Sequence, residues 1–403
     1  MSLVARIFLS KRAEDQRRIL CEDKYFILSH NVKCITSTVT SAFCRGFVVF
    51  KGDFMEIYQL VRNISQGYLP NVEEVELLLR AEGQELSYIF EAADKINTQY
   101  NGNQVHIRGI IEFSNYCRAR CAYCGLNAEN KELARYRMEP DEVIQTAKEA
   151  IDAGYKTIVL QSGEDLWYTK EKISYIIKGI KALGDVAVTL SVGERDYEDY
   201  RRWKEDGADR FLLKHETINR KLYEKLHPHS TLRNRILCLK QLKQLGYQTG
   251  SGFMIGLPGQ TTRDIAKDIL FLNRLKVDMA GIGPFIPHKG TALRDAPAGS
   301  NEMTLKALAV SRLILKTTHL PATTALRTLN GKDGQKAFHV GANVIMLKLE
   351  PYKYRRLYEI YPKALGVEKS IREERAEMER FIESMGKEVA KGRGDSIRFI
   401  ERL

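Results

Sequence analysis

Three cysteines stand close together in residues 114–130, SNYCRARCAYCGLNAEN: Cys117, Cys121 and Cys124. Their spacing, Cys-x3-Cys-x2-Cys, gathers three thiolates within one loop, and thiolates are metal ligands. A closed zinc site or a plain electron-transfer cluster takes four protein ligands. The nearest downstream cysteine is Cys238 and the nearest downstream histidine is His215, so no fourth ligand follows at a regular spacing. A 4Fe-4S cluster held by three thiolates would leave one iron open to a small molecule. Zinc and three unpaired structural cysteines are the alternatives that the spacing alone leaves.

The loop must be held by regular elements. From Val105 onward short apolar-rich strands alternate with amphipathic helices. The expected strands are HIRGIIEFS, KTIVLQSG, VAVTLSVG, DRFLLKHE, QTGSGFMIG, DMAGIGPF, LPATTAL and GANVIML. Helices such as EPDEVIQTAKEAIDAG and TTRDIAKDILFLNRL separate them, several closed by glycine. Eight strand–helix units predict an α/β fold, a (β/α)8 TIM barrel, with the cysteine loop at the C-terminal mouth where barrel sites lie. An open doubly wound sheet is the rival, although no G-x-G-x-x-G follows the first strand.

Side chains alternate faces along a strand. Arg108, Ile110, Glu112 and Ser114 therefore share one face of the first strand. The corresponding faces carry Val159 and Gln161, then Thr189 and Ser191, then Arg210, Leu212, Lys214 and Glu216. A barrel interior is ordinarily filled with branched apolar side chains. This one is predicted to enclose a polar cavity, because buried charges are costly unless paired or used. Structural ion pairs at strand ends are the alternative.

Hydrophobic residues make up 44% of the 403 and charged residues 28%, a globular composition. The net charge of +12 is spread along the chain, which predicts no dedicated nucleic-acid face. No apolar run approaches the roughly 18 residues a membrane span needs. Seven cysteines in a chain this long are not a disulfide framework, and the triplet points to a reducing, cytoplasmic setting.

Residues 1–54 lack clear periodicity and are expected to be a non-native or disordered extension. The stretch FKGDFMEIYQL can be back-translated to place a bacterial ribosome-binding sequence just before an ATG, which makes Met55 the expected natural start. Residues 55–104 are expected as N-terminal helices and 105–362 as the barrel. Residues 363–403, with EKSIREERAEMERFIESMGKEVAKGRGD, are expected as a polar, solvated C-terminal helix and tail.

The cysteine motif, ending the first strand of a barrel, resembles that of radical S-adenosylmethionine (SAM) enzymes. The resemblance implies a 4Fe-4S cluster on Cys117, Cys121 and Cys124, with SAM chelated at the open iron and cleaved reductively to methionine and a 5′-deoxyadenosyl radical. Ser162-Gly163-Glu164 resembles that superfamily's Gly-Gly-Glu loop, and GFMIGLPGQT its adenine-side segment around Ile255. Longer stretches are similar to the HydE family of FeFe-hydrogenase maturases: VHIRGIIEFSNYCRARCAYCGLNAENKELARYRM, TIVLQSGED, GADRFLLKHETIN, DMAGIGPFIPH, PATTA and RRLYEIYP. This resemblance spans residues 55–362.

Membership of that family implies a small-molecule or iron-complex substrate, a reducing electron donor, sister hydrogenase maturases as partners, and no nucleic acid or membrane. It implies SAM contacts from Tyr123, Ser162, Gly163, Glu164, Ser191, Lys214, Glu216, Arg235 and Ile255. A substrate cavity lined by Arg108, Gln161, Thr189, Arg210, Met279, Thr323, Thr324, Met346, Tyr354 and Tyr358 also follows from it. Core packing is the other reading of Met279 and Met346, and mutual packing that of Tyr354 and Tyr358. Two departures stand out. Lys214 replaces an expected Arg, keeping charge but losing bidentate geometry. MLKLEP, residues 346–351, replaces a motif that usually reads Met-Pro-Asn-x-Thr-Pro. No cysteine follows Cys238, so the second cluster that many family members carry is not expected. A methylornithine synthase-like mutase, or a diverged enzyme with another small substrate, is the alternative function.

Overall fold

The computed structural model describes residues 52–329, 331–362 and 367–401; the expectations for residues 1–51 lie outside them. Strands β1 (Gln104–Ser114), β2 (Thr157–Ser162), β3 (Ala187–Ser191), β4 (Arg210–Leu212), β5 (Gln248–Ile255), β6 (Met279–Pro284) and β7 (Val344–Lys348) form one parallel sheet. Its order is β6-β5-β4-β3-β2-β1-β7, so each strand up to β6 is laid beside its predecessor and β7 returns to β1. Crossover helices make this parallel order possible.

The expected closed eight-stranded barrel is corrected in one respect. LPATTAL is not a strand. Its Pro321 makes a single bridge to Val344 of β7, and His319, just before the stretch, makes one to Met279 of β6. Its Pro321 has no N–H to donate to a ladder, and the helix Thr324–Leu329 begins three residues later.

The parity of the strands is as the alternation requires. Ile111, Phe113, Ile158, Leu160, Val188, Leu190, Phe211 and Leu213 are all buried in the main core, against the helices. Across the opposite face the register sets Glu112 beside Gln161, Gln161 beside Ser191, and, one layer lower, Thr189 beside Arg210. Helices begin where the sequence supplies caps: Asn71 and Glu74 form a capping box for Val72–Arg80, as Thr261 and Asp264 do for Thr262–Leu275. The helices Val72–Arg80 and Gly83–Asn101 pack on Thr262–Leu275 and Asn301–Leu315, as a helical lead-in should.

The C-terminal segment is only in part solvated. The helix Ile371–Ser384 leads into strand β8 (Glu388–Val389), which pairs with β1 through Gln104 and Val105. Beyond it the chain runs beneath the sheet. Asp395 accepts from Arg210 at 2.8 Å and from Gln248 at 2.6 Å, and Ser396 donates to Asp278 at 2.7 Å. The helix Ile371–Ser384 is largely solvated, as expected, but Asp395 and Ser396 beyond it hydrogen-bond buried groups at the N-terminal ends of the strands. No helix among the described residues is long and apolar enough to cross a membrane.

Candidate active site

Strand β1 delivers the cysteine loop, and one side chain holds it. The Arg135 guanidinium donates to the carbonyls of Asn115, Leu126, Asn127 and Asn130, tying the two ends of the loop together. Cys117, Cys121 and Cys124 are free thiols, each half-buried. Burial pushes the Cys124 thiol up to about 12 and raises Cys117; burial and then the neighbouring Cys124 and Cys117 thiols raise Cys121 well above its usual value. Among the described residues no group of His, Cys, Asp and Glu surrounds a point where a single ion could sit. Three thiols supplied by one loop are the donor set of a cluster in which each thiolate takes its own iron.

The loop after β2 lies against the cysteines at backbone distance. The Gly163 N–H donates to the Ser114 carbonyl at 3.1 Å, and the Glu164 N–H points at Cys117 Sγ at 3.3 Å. A Cβ on Gly163 would stand 2.2 Å from the Tyr116 carbonyl oxygen, so only glycine fits this approach. Ser162 donates to its neighbour's carbonyl, and Glu164 receives Arg118 and the Glu194 N–H.

Beneath the loop lies a cavity of about 280 Å³. Tyr123, Gln161, Lys214, Glu216, Thr323, Thr324, Met346 and Tyr358, all expected there, line it, together with Glu112 and Lys348. Lys214 Nζ is 3.0 Å from Glu216 Oε2. Glu216 has a left-handed φ of 61°, a conformation that costs a non-glycine residue on the order of 1 kcal/mol or more and that clusters at functional sites. It is held there from both sides: its N–H donates to Gly252 and its carbonyl accepts from Met254.

The radical SAM superfamily pattern matches residues 111–272. The FeFe-hydrogenase maturase subunit HydE of Thermotoga maritima is 52% identical over 274 residues, covering 68% of this chain and 78% of that protein. The chain belongs to the HydE family of radical SAM enzymes. The 3-methylornithine synthase of Methanosarcina acetivorans is 30% identical over 285 residues, covering 70% of this chain and 80% of its own. A crystal structure of methylornithine synthase superposes with a TM-score of 0.73 at 26% identity, covering 82% of this chain and 97% of that one.

A 4Fe-4S cluster and SAM are the cofactors of a HydE-family enzyme, and the residues present fit both. The three thiols suit the cluster. Lys214 and Glu216 offer an ammonium and a carboxylate matched to the carboxylate and amine of SAM. Met254 lines the cavity with Phe285 and Ile286, giving it an apolar side, whereas the Ile255 side chain is buried in the main core. Arg235 does not line the cavity. It donates to Glu194 and to the Lys214 carbonyl, both at 2.6 Å, and so positions the backbone of Lys214. Ser191 is half-buried beside Gln161 and outside the cavity lining.

Four expected substrate residues sit lower. Arg108 is buried against Met279 Sδ at 2.8 Å and the Gly394 carbonyl; Thr189 is buried; Arg210 is paired with Asp395. None of these four lines the cavity. Tyr354 lies elsewhere, stacked on Tyr136 with its hydroxyl on Glu142.

Reading the sequence missed Arg135, Glu194, His227 and His229. Glu194 receives Ser230, Asn234 and Arg235, whose charge and hydrogen bonds outweigh burial and hold its carboxyl below the usual range. A carboxylate just past the C-terminal end of β3, where barrel sites form, was the available signal. His229 accepts the Arg120 N–H on Nδ1, which leaves its proton on Nε2, 3.9 Å from Cys121 Sγ. His227 holds the Tyr123 hydroxyl at 2.8 Å, and burial lowers its imidazole to about 3, so it stays neutral.

Proposed function

We propose that this protein is a maturase of FeFe-hydrogenase that acts on a small precursor during assembly of the H-cluster. The observation that carries this is the three-thiol loop above a largely apolar cavity that holds two ion pairs, in a chain 52% identical to a curated HydE. A 4Fe-4S cluster held there would supply the electron for reductive cleavage of SAM to methionine and a 5′-deoxyadenosyl radical. Cys117, Cys121 and Cys124 hold the cluster. Lys214 and Glu216 orient the amino-acid end of SAM, and Gly163 and Glu164 bring backbone against it. Gln161, Thr323, Met346 and Tyr358 line the space in which the substrate, a small molecule or iron complex, meets the radical. Tyr123, fixed by His227, separates the loop from that space and limits water. The reading includes a reducing electron donor, sister maturases as partners and a cytoplasmic setting.

Expression in a strain lacking HydE, scored anaerobically by hydrogenase activity, tests this reading. The wild type should restore activity and Cys121→Ala should not. A Cys121→Ala protein that matures hydrogenase normally contradicts the mechanism. A second reading, a methylornithine synthase-like mutase, is favoured by the charged residues Lys348 and Glu350 and by the 0.73 TM-score. Failure of complementation with retained SAM cleavage would select it.

A further inference from the structure

The family motif Met-Pro-Asn-x-Thr-Pro is neutral where this chain carries Lys348 and Glu350. Met346 and Lys348 share the inner face of β7, because side chains alternate, and Lys348 stands in register with Ile110 of β1. Two residues along the same face of β1 is Glu112. Its carboxylate meets the Lys348 ammonium, and both side chains line the cavity.

The pair is braced from behind. Glu350 is fully buried; its Oε2 accepts the Glu112 N–H at 3.2 Å, and its Oε1 is 3.9 Å from Lys348 Nζ and 4.0 Å from Arg355 Nε. Arg355 in turn donates to the Lys348 carbonyl and pairs with Glu374 of the helix Ile371–Ser384. On the cavity side the Tyr358 ring lies 5.7 Å from the ammonium. Lys348 retains 20% side-chain exposure and Glu112 only 7%, and the cavity is the space that both line.

Lys214 and Glu216 form a second ion pair on β4's side of the same cavity, with β2 and β3 between the two pairs. The Lys214–Glu216 pair is matched to the amino-acid end of SAM. Much of the remaining cavity wall is apolar, including Ile110, Leu212, Met254, Phe285 and Met346. Two desolvated charges of opposite sign, side by side on an otherwise apolar wall, recognise a ligand carrying the same two charges reversed.

We propose that Lys348 and Glu112 bind a zwitterionic α-amino-acid group of the substrate, the carboxylate on Lys348 and the ammonium on Glu112. This makes Lys348 a specificity-determining residue, held in place by Glu350 and Arg355. The proposal rests on the radical SAM reading only for the occupant of the Lys214–Glu216 side.

The test is anaerobic calorimetry on cluster-reconstituted, unreduced protein saturated with intact SAM, which fills that side. Three probes of similar size are titrated: L-2-aminobutyrate, butyrate and propylamine. The wild type should bind L-2-aminobutyrate about tenfold or more tighter than either singly charged probe. Lys348→Asn should lose the preference over propylamine, and Glu112→Gln the preference over butyrate. Lys348→Arg keeps the charge and should retain the preference, which separates lost recognition from a damaged fold. Equal affinity of the wild type for the three probes, no binding of L-2-aminobutyrate, or Lys348→Asn and Lys348→Arg behaving alike would each overturn the proposal. Wild-type protein that forms no 5′-deoxyadenosine from SAM under reducing conditions contradicts the radical SAM reading instead, and leaves the probe comparison standing.

Discussion

Burial and the adjacent Glu112 carboxylate push Glu350 up to about 8, while Lys348 and Arg355 oppose that rise. Its ordinary value is 4.5, so between these two pH values the folded protein binds a proton there that the unfolded chain has released. The resulting contribution to stability is complete below the unfolded value and is lost as pH rises toward the folded one. Urea denaturation across pH 5 to 8 should therefore show wild-type stability declining relative to Glu350→Gln, by an amount on the order of a few kcal/mol. Parallel curves for the two proteins would contradict the assignment. At this scale the cysteine triplet and part of the cavity wall, Gln161, Lys214 and Glu216 among it, were legible, because residue spacing and strand parity are local properties; the same parity also pointed to Arg108, Thr189 and Arg210, which lie outside the lining. Arg135, Glu194 and His229 were not. Arg135 acts by joining Asn115, 20 residues away, to nearer carbonyls, and Glu194 and His229 act through partners 41 and 108 residues away, which no local pattern encodes.

Among the elements, the strands were legible by their alternation and the helices by caps and period. LPATTAL was not: its apolar ends resemble a strand, yet its proline and the helix that follows leave room for only a single bridge. The end of the C-terminal segment was misread for another reason. A run of charges is usually solvated, and only the fold reveals that buried cations lie opposite it. Arg210 has no exposed side-chain surface, and Asp395 is its carboxylate partner at 2.8 Å. Removing one partner of a buried pair strands the other. Asp395→Ala should lower the free energy of unfolding by roughly 3 kcal/mol. A loss of less than about 0.5 kcal/mol, the range of an ordinary surface substitution, would contradict a structural role for the tail.

For the molecule as a whole, the sheet is a frame with two ends of different purpose. The N-terminal ends of its strands are sealed by the tail from Glu388 to Ser396, through β8 and the Asp395 and Ser396 hydrogen bonds. The C-terminal ends carry the cysteine loop, the glycine approach at Gly163 and the Lys214–Glu216 pair, as parallel α/β sheets place their sites. Sealing one end leaves the cavity to be entered from the loop side, where water must be excluded before a radical can be used. The central claim is that three thiols hold a cluster with one iron kept for SAM. Electron paramagnetic resonance of the reduced, reconstituted protein tests it most directly. The account predicts a cluster signal whose spectrum changes when SAM is added, and a spectrum that does not respond to SAM would contradict it.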